Sequence, residues 1–164
     1  METHDAVYFY GHKNDFGWMS NFYSCTFEEN NIVFNCSEQY FMYHKCKLFD
    51  SGNESLLKSI LDETKPSTIK KFGRMVQNYN DTIWNDRRYD IMKQGVKLKF
   101  LQDEELYNAL LTTENKMIYE AAPTDRIWGI GVSIKKINQI SPNQYGQNLL
   151  GKVLMQVREE LRTT

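Results

Sequence analysis

Hydrophobic and aromatic residues near the start of the chain form short runs that lack helical spacing. The runs cover residues 6–10, 21–27 and 31–35, and their content of aromatic and β-branched side chains predicts three strands. Glu29, Asn30 and Asn31 separate the last two runs. Because these residue types favour turns, we predict a turn between the second and third strands.

From Ser37 onward the hydrophobic positions follow the period of a helix. Ser37 is a residue type that commonly caps a helix N-terminus, and the predicted helix runs from there to Asp50. The positions that recur in it at helical spacing are Tyr40, Phe41, His44 and Leu48. Four further helices are predicted over residues 54–61, 68–76, 84–101 and 104–111.

The last third of the chain combines a predicted strand with the clearest helix. Residues 117–121 alternate apolar and polar side chains and predict a strand, which a Pro- and Gly-containing loop follows up to Gly131. Residues 135–145 show no clear period. The final helix has an apolar stripe of Leu149, Leu150, Val153, Leu154, Val157 and Leu161. The side chains that we predict to face water are Lys152, Arg158, Glu159 and Arg162.

These elements predict one α+β domain over residues 1–164, mostly helical around a small sheet. The content of aromatic residues, 13%, fits either an aromatic core or a pocket for flat or sugar-like ligands. The first five residues have neither a basic segment nor an apolar run, and no stretch approaches the ~18 apolar residues of a membrane span. We therefore expect a cytoplasmic protein without a membrane partner.

Charge and cysteine content argue against a protein that coats nucleic acid, a metal site and a disulfide framework. The formal net charge is −1, whereas proteins that coat nucleic-acid duplexes carry a basic excess. The local cluster of Lys70, Lys71 and Arg74 can still bind one phosphate group, or it is an exposed helix face. The three cysteines have no C-x-x-C spacing and the three histidines form no ligand motif, so we expect no metal site and no disulfide framework.

Two segments bring carboxylates close to aromatic side chains. Glu38 and Lys45 are seven residues apart, about two turns, and share one face of the predicted helix. The pair is either functional or an exposed carboxylate near the helix start with an unrelated surface lysine. Glu120 ends the predicted strand beside a loop, where both catalytic carboxylates and ordinary edge charges occur.

Several spaced motifs follow one another along most of the chain. The first reads F-Y-x(5)-F-G-x(2)-S-N-F from Phe9 to Phe22, and the second reads S-E-Q-Y-F-x(3)-K from Ser37 to Lys45. Further motifs are Gly73-Arg74, Trp84, Glu120, Trp128-Gly129-x-Gly131, Asn148-x-x-Gly151, Leu154-Met155 and Arg158. Together they resemble the YbiA-like/NADAR family, from which residues 134–147 depart because they lack its Gly/Lys-rich loop. Lys45 takes the family's lysine position by spacing alone, since Lys47 follows closely.

The resemblance implies an α+β fold, no cofactor, and hydrolysis of a ribose C1–N bond. It implies two kinds of substrate: ADP-ribose attached to the amino group of guanine, including ADP-ribosylated nucleic acid, and phosphoribosylamino-pyrimidine intermediates of riboflavin synthesis. The residues that it marks as catalytic are Glu38, Lys45 and Glu120. The residues that it marks as substrate-binding are Asn21, Phe22, Gly73, Arg74, Trp84, Asp125, Trp128, Gly129 and Asn148.

Breaking such a bond requires a proton on the departing nitrogen and relief of positive charge at C1. Glu38 and Glu120 suit these two roles, with Asp125 as a third candidate. Lys45 either attacks C1 as a free amine and forms a Schiff base, if burial or a cation such as Lys47 lowers its pKa, or binds phosphate or ribose hydroxyls.

The remaining matched residues fit ligand contacts. Arg74 suits a phosphate and the two Asn residues suit ribose hydroxyls, whereas Phe22, Trp84 and Trp128 are candidates to stack on a base or to pack in the core. Two other functions remain open: a non-catalytic ADP-ribose-binding module, and a small interaction domain. The ionisable groups Glu38, Lys45 and Glu120 favour the enzyme over a binding module.

Overall fold

The strands pair in two separate two-stranded sheets. In the computed structural model, which describes residues 1–164, β1 (Ala6–Phe9) pairs in parallel with β4 (Met117–Glu120). β2 (Phe27–Glu29) and β3 (Ile32–Phe34) pair antiparallel, with Glu29 opposite Ile32. Asn30 and Asn31 connect them with left-handed backbones, φ 52° and 66°, as a two-residue hairpin turn requires. The predicted turn is confirmed.

Helices make up most of the regular structure, and they confirm the α+β fold class. They are α1 (Ser37–Phe49), α2 (Glu54–Asp62), α3 (Pro66–Gly73), α4 (Asp81–Leu101), α5 (Glu104–Leu111) and α6 (Leu149–Arg162). The chain also has three short 3-10 helices, at Gly17–Met19, Ile134–Gln139 and Pro142–Gln144. Two of these lie in the segment for which the sequence shows no period. None of the helices is long and apolar enough to cross a membrane.

Three element boundaries differ from the sequence predictions. The predicted strand over residues 21–27 is wrong, because the chain turns after Ser20, whose Oγ accepts a hydrogen bond from the Phe22 N–H, and β2 begins only at Phe27. α3 ends at Gly73 rather than near Val76. α4 begins three residues before Trp84, because the Asn80 side chain caps it by accepting from the Ile83 N–H at 3.0 Å.

The start of α1 also differs from its prediction. Cys36 is the N-cap residue, with extended backbone, and Ser37 is the first residue of the helix itself. The Ser37 Oγ is buried and makes no hydrogen bond within the protein. The side chain of Gln39 accepts from the Asn35 N–H at 2.7 Å, just before the helix. The prediction of Ser37 as the capping residue is therefore wrong, and the Gln39 side chain instead bonds the backbone that leads into the helix.

The chain divides into two compact units. One unit comprises residues 1–23 and 104–164 and is called the discontinuous unit. The other comprises residues 24–103 and is called the continuous unit. The prediction of a single domain over residues 1–164 therefore stays a prediction.

The discontinuous unit packs α6 against the parallel pair of strands. The predicted stripe is confirmed for five residues that are at most 1% exposed: Leu150, Val153, Leu154, Val157 and Leu161. The prediction that Arg158 faces water is wrong, since this residue is only 3% exposed. Its guanidinium donates to the Thr113 Oγ1 and to the Lys116 carbonyl, both at 2.9 Å. These bonds provide hydrogen-bond donors for polar groups in the turn between α5 and β4, which explains why a charged side chain is buried there.

The continuous unit is built around α1, which packs against α2, α3 and α4. The buried amide of Gln39 donates to the carbonyls of Ile60 and Leu61 at 2.9 and 3.1 Å, and so ties α1 to the end of α2. On another side, Phe27 and Phe34 of the hairpin stack at 5.6 Å, and Tyr40 packs on both. α1 is therefore held from several directions, and its side chains have fixed surroundings.

Candidate functional site

Glu38 and Lys45 lie on one face of α1. Glu38 is in the first turn, where the partial positive charge of the helix N-terminus favours a carboxylate, and it is only 7% exposed. Lys45 follows two turns later and is half-buried. The negative charge of Glu38 acts on the Lys45 amine, which agrees with the predicted sharing of a face. The interpretation of this pair as an exposed carboxylate and an unrelated surface lysine is wrong.

Aromatic rings surround the amine of Lys45. The Nζ atom lies 4.9 Å from the centre of the Tyr79 ring and 5.8 Å from the centre of the Trp84 ring. Both distances are within the range at which a cation is attracted to a π face. Tyr79 comes from the segment before α4 and Trp84 from its first turns, so the loop and the helix converge on the same amine.

Burial lowers the pKa of Lys45, because the ammonium loses hydration that the neutral amine needs less. The negative charge of Glu38 opposes this change, and the positive charge of Arg74 adds to it. Lys47, the cation expected from the sequence, is exposed and does not contribute to the shift. Burial and a cation lower the pKa of Lys45, as the sequence suggested, but the cation is Arg74 and not Lys47. A lowered pKa leaves a larger fraction of Lys45 as free amine at neutral pH.

Gly73 and Arg74 form the end of α3 beside this group. A side-chain carbon at Gly73 would overlap the Sδ of Met42 on α1, so the absent side chain allows α3 to approach α1 closely. Arg74 is exposed and follows as the C-terminal cap residue. Its guanidinium is therefore accessible for the predicted phosphate contact, which stays a prediction.

Trp84 is a buried residue, 7% exposed, and its ring packs against Phe41 at 4.9 Å and Phe49 at 6.1 Å. These contacts agree with the alternative that Trp84 belongs to the core. With Lys45 over its ring as well, Trp84 contributes to the surroundings of the amine. Stacking of a base on Trp84 stays a prediction.

Glu120 is the last residue of β4, in the discontinuous unit, and it is half-buried. The side chain of Asn148 holds the backbone at Glu120 and two residues before it. The Asn148 Oδ1 accepts from the Glu120 N–H at 3.1 Å, and its Nδ2 donates to the Ile118 carbonyl at 2.8 Å. Asn148 is buried and has a left-handed backbone, φ 54°. Its predicted contact with a ribose hydroxyl stays a prediction, whereas its bonds fix the end of the strand.

The loop after Glu120 is organised by Asp125 and Gly129. The Asp125 Oδ1 accepts from the N–H groups of Ile127 and Trp128, both at 2.9 Å. This carboxylate orders the loop that carries Trp128, a role the sequence did not identify. A side-chain carbon at Gly129 would lie 2.8 Å from the Glu120 carbonyl oxygen, so only glycine fits there. Trp128 itself is half-buried.

Asn21 and Phe22 follow the 3-10 helix at residues 17–19 in the same unit. The Oδ1 of Asn21 is buried and makes no hydrogen bond within the protein, which leaves an acceptor for a hydroxyl donor. The Phe22 ring is half-buried and lies 6.1 Å from the ring of His12. Their predicted roles toward ribose and base stay predictions.

The structure thus groups the predicted residues in two sets. Within the continuous unit Glu38, Lys45, Arg74 and Trp84 share one environment. Within the discontinuous unit a network of backbone bonds and close approaches joins Glu120, Asp125, Trp128, Gly129 and Asn148. Sequence reasoning missed Tyr79, although its position between Arg74 and Trp84 follows the same pattern of aromatic and polar residues that marked the other segments.

An open depression lies elsewhere, at the start of β4, whereas Glu120 is at the end of this strand. It has a volume of about 420 Å³ and is lined by His4, Asp5 and residues 114–117. It contains none of the residues that the sequence marked. No group of three or more His, Cys, Asp or Glu side chains is arranged to hold a metal ion.

Comparisons with known proteins identify relatives over nearly the whole chain. The chain is 43% identical to an N-glycosidase of Acanthamoeba polyphaga mimivirus, over 98% of each chain. It is 30% identical to a riboflavin biosynthesis protein of Vibrio vulnificus, over 95% of this chain and 38% of that protein. The NMR structure of the E. coli protein YbiA superposes with a TM-score of 0.79 at 26% identity, covering 99% of this chain and 88% of that one.

The names of these relatives support a hydrolase that acts on N-glycosyl bonds. The NADAR domain matches residues 8–162, which include all the predicted catalytic and substrate-binding residues. The match therefore spans both compact units and all but the ends of the chain. The protein belongs to the NADAR domain family.

Proposed function

We propose that this protein hydrolyses the bond between C1 of a ribose and the exocyclic nitrogen of a flat base. The substrates are ADP-ribosylated guanine, free or in nucleic acid, or a phosphoribosylamino-pyrimidine intermediate of riboflavin synthesis. The family relationship supports the type of bond. The observation that carries the proposal is the environment of Lys45: a half-buried amine with a lowered pKa, on the same helix face as the buried carboxylate of Glu38.

The chemistry begins with opening of the ribose ring. The lone pair of the substrate nitrogen forms a C1=N bond, the C1–O4 bond breaks, and O4 takes a proton. The free amine of Lys45 then adds to C1, and a proton moves to the departing nitrogen. Loss of that nitrogen leaves an iminium between C1 and Lys45, which water hydrolyses to release the sugar and regenerate the amine.

Glu38 suits the proton transfers in this sequence. It is buried and charge-coupled to Lys45, so it can take the proton that Lys45 loses on attack and return it to the departing nitrogen. The role of Glu120 as the second carboxylate, beside positive charge at C1, stays a prediction. Its backbone N–H is held by Asn148, which limits where its side chain can lie.

The binding roles follow from accessibility and free hydrogen-bonding capacity. Arg74 is exposed and its planar guanidinium can bind two phosphate oxygens at once. The buried acceptor of Asn21 suits a ribose hydroxyl. Trp128 and Phe22 are half-buried and can stack on a base, an interaction worth about 1–3 kcal/mol per base.

The test is a parallel assay of both substrate kinds under identical conditions. Purified protein is incubated with ADP-ribosylated guanine in a short DNA, in RNA and as a free nucleotide, and with the phosphoribosylamino-pyrimidine. Released base and released sugar phosphate are measured by liquid chromatography and mass spectrometry. We expect release from one substrate kind, with loss of activity in Lys45→Met and normal activity in Lys47→Met, a matched change on the exposed side of the same helix.

Two results would contradict the proposal. Stabilisation of the protein by ADP-ribose without release of base from any substrate would identify a binding module instead. Equal activity of Lys45→Met and the wild type would remove the amine from the reaction.

A further inference from the structure

Tyr79 is an exposed aromatic residue that has no part in the proposed bond-breaking steps. Its ring is 45% exposed, yet its face is directed toward the Nζ of Lys45 at 4.9 Å. The arrangement therefore needs an explanation beyond packing, and the other contacts of the segment provide one.

The segment that carries Tyr79 is anchored on the helix that carries Lys45. The Gln77 N–H donates to the Asp50 Oδ2 at 3.1 Å, directly after the end of α1. The Tyr79 ring meets the ring of Phe49 edge-on at 5.4 Å, and its hydroxyl donates to the Asp81 Oδ1 at 2.8 Å. Two of these contacts hold the segment against the end of α1, and the third holds the ring at the start of α4. An exposed side chain is held in one orientation, and its face is presented to the amine.

From this geometry we infer that Tyr79 is a positioning residue that holds the Lys45 nitrogen and stabilises its cationic form during the reaction. The inference rests on the proposed function of Lys45. The ring attracts positive charge at the nitrogen through its quadrupole. That attraction acts on the ammonium of the free protein and also on the iminium, which carries part of its charge on the same nitrogen.

The iminium depends on the ring more than the ammonium does. An ammonium has three N–H groups that bind water, whereas an iminium of Lys45 retains one. The cation that forms during turnover is therefore less hydrated, and cation–π attraction is stronger when the cation is desolvated. Tyr79 then favours the intermediate over the preceding adduct, in which the positive charge is on the departing nitrogen and the Lys45 nitrogen is neutral, and this preference accelerates the step that expels the base.

Other charged groups act on the same amine, so the pKa of Lys45 depends on these charges and on burial as well as on the ring. Glu38 of α1 stabilises the cation and Arg74 at the end of α3 destabilises it. The hydroxyl of Tyr79 is engaged by Asp81 and points its hydrogen to that carboxylate. Replacing Tyr79 by a small residue would change hydration and electrostatics together, so the test must keep the shape of the ring.

The experiment replaces Tyr79 by Phe and then by mono-, di- and trifluorophenylalanine, which weaken the π face with little change in shape. The pKa of Lys45 is measured in the free protein by NMR titration of labelled lysine side chains, with Lys45→Met for assignment. We expect a stepwise fall of about 0.5 pH unit in total, the shift that corresponds to a cation–π contact at a partly exposed site. The same series at Tyr10, which is 46% exposed and belongs to the discontinuous unit, is the control and should leave the titration unchanged.

The rate of turnover provides the second readout. We expect the logarithm of kcat to fall in steps with fluorination at position 79, by up to about tenfold, while KM changes little. An unchanged Lys45 titration across the series would overturn the inference, whatever the activity of the protein. A stepwise titration in a protein that turns over no substrate would support the contact and contradict only the proposed function.

Discussion

The two compact units hold their candidate residues by different means. In the continuous unit the candidate groups are side chains on helices, and Lys45 lies near two rings and two charges. In the discontinuous unit the backbone itself is fixed: the Asn148 side chain bonds to the Glu120 N–H and the Ile118 carbonyl, and the Ile130 N–H donates to the Glu120 carbonyl at 2.8 Å. The continuous unit lowers the pKa of the Lys45 amine, whereas the discontinuous unit fixes the backbone position of Glu120.

The difference extends to the glycines of the two units. Gly73 of the continuous unit faces the flexible end of a methionine side chain. Gly151 at the start of α6 faces backbone, because an added carbon would overlap the Ile118 carbonyl oxygen. A side chain can move at little cost and a carbonyl in a strand cannot. A side chain added at Gly151 is therefore expected to destabilise the protein more than one added at Gly73.

The largest expected effect concerns the carboxylates of the two units. Glu38→Gln and Glu120→Gln should each reduce kcat by about 10²-fold or more, the usual scale for a lost acid or base, while the Tm remains close to that of the wild type. Single-turnover rates and thermal unfolding of each variant provide the measurement. Loss in only one variant would assign the proton chemistry to that unit, and normal activity in both would remove carboxylate catalysis.

The next effect is on stability and compares the two glycines directly. Gly151→Ala should destabilise the protein by about 1–3 kcal/mol, because backbone must shift, and each kcal/mol lowers the Tm by about 2–4 °C. Gly73→Ala should cost less, since the Met42 side chain can rotate away. Gly52→Ala, which has open space around it, is the control and should stay within about 0.5 kcal/mol of the wild type. A larger loss for Gly73→Ala than for Gly151→Ala would contradict the comparison.

The smallest effect is a shift in pH dependence. The positive charge of Arg74 lowers the pKa of Lys45, so Arg74→Gln should raise it. The free amine then appears at higher pH, and the rising limb of kcat/KM should move to higher pH by about 0.5 unit or less, since the site is partly exposed. Arg87→Gln, an exposed arginine on α4, is the control. A limb that keeps its position while KM rises at every pH would indicate that Arg74 binds substrate without affecting Lys45.

The elements with strong periodicity could be predicted from the sequence. The spacing of apolar residues identified α1 and α6, and Asn30 and Asn31 marked the hairpin. Arg158 and Lys99 could not be identified as buried, because both have charged side chains on helices and burial depends on partners far away in the chain. For Lys99, which is fully buried, the environment lowers the pKa to about 8. Such positions are decided by tertiary contacts that helical periodicity does not contain.

The candidate site was predictable to a similar degree. Residue types and spacing identified Glu38 and Lys45, because one helix face follows from sequence separation alone. The cation that acts on Lys45 is Arg74, which belongs to a different helix, and the ring of Tyr79 belongs to a loop. Neither could be assigned without the packing of α3 and α4 on α1. The role of Asp125 in ordering its loop likewise depends on a backbone conformation that the sequence does not specify.

Chemical trapping of the Lys45 intermediate distinguishes a covalent mechanism from direct hydrolysis. Borohydride is added during turnover under saturating substrate, and the protein is digested and analysed by mass spectrometry. Attack by the Lys45 amine predicts a ribose-containing mass addition on the peptide with Lys45, present in Lys47→Met and absent in Lys45→Met. Absence of any adduct in an active wild-type protein, with Glu38→Gln inactive, would contradict that attack and would indicate direct hydrolysis at C1 without a covalent intermediate.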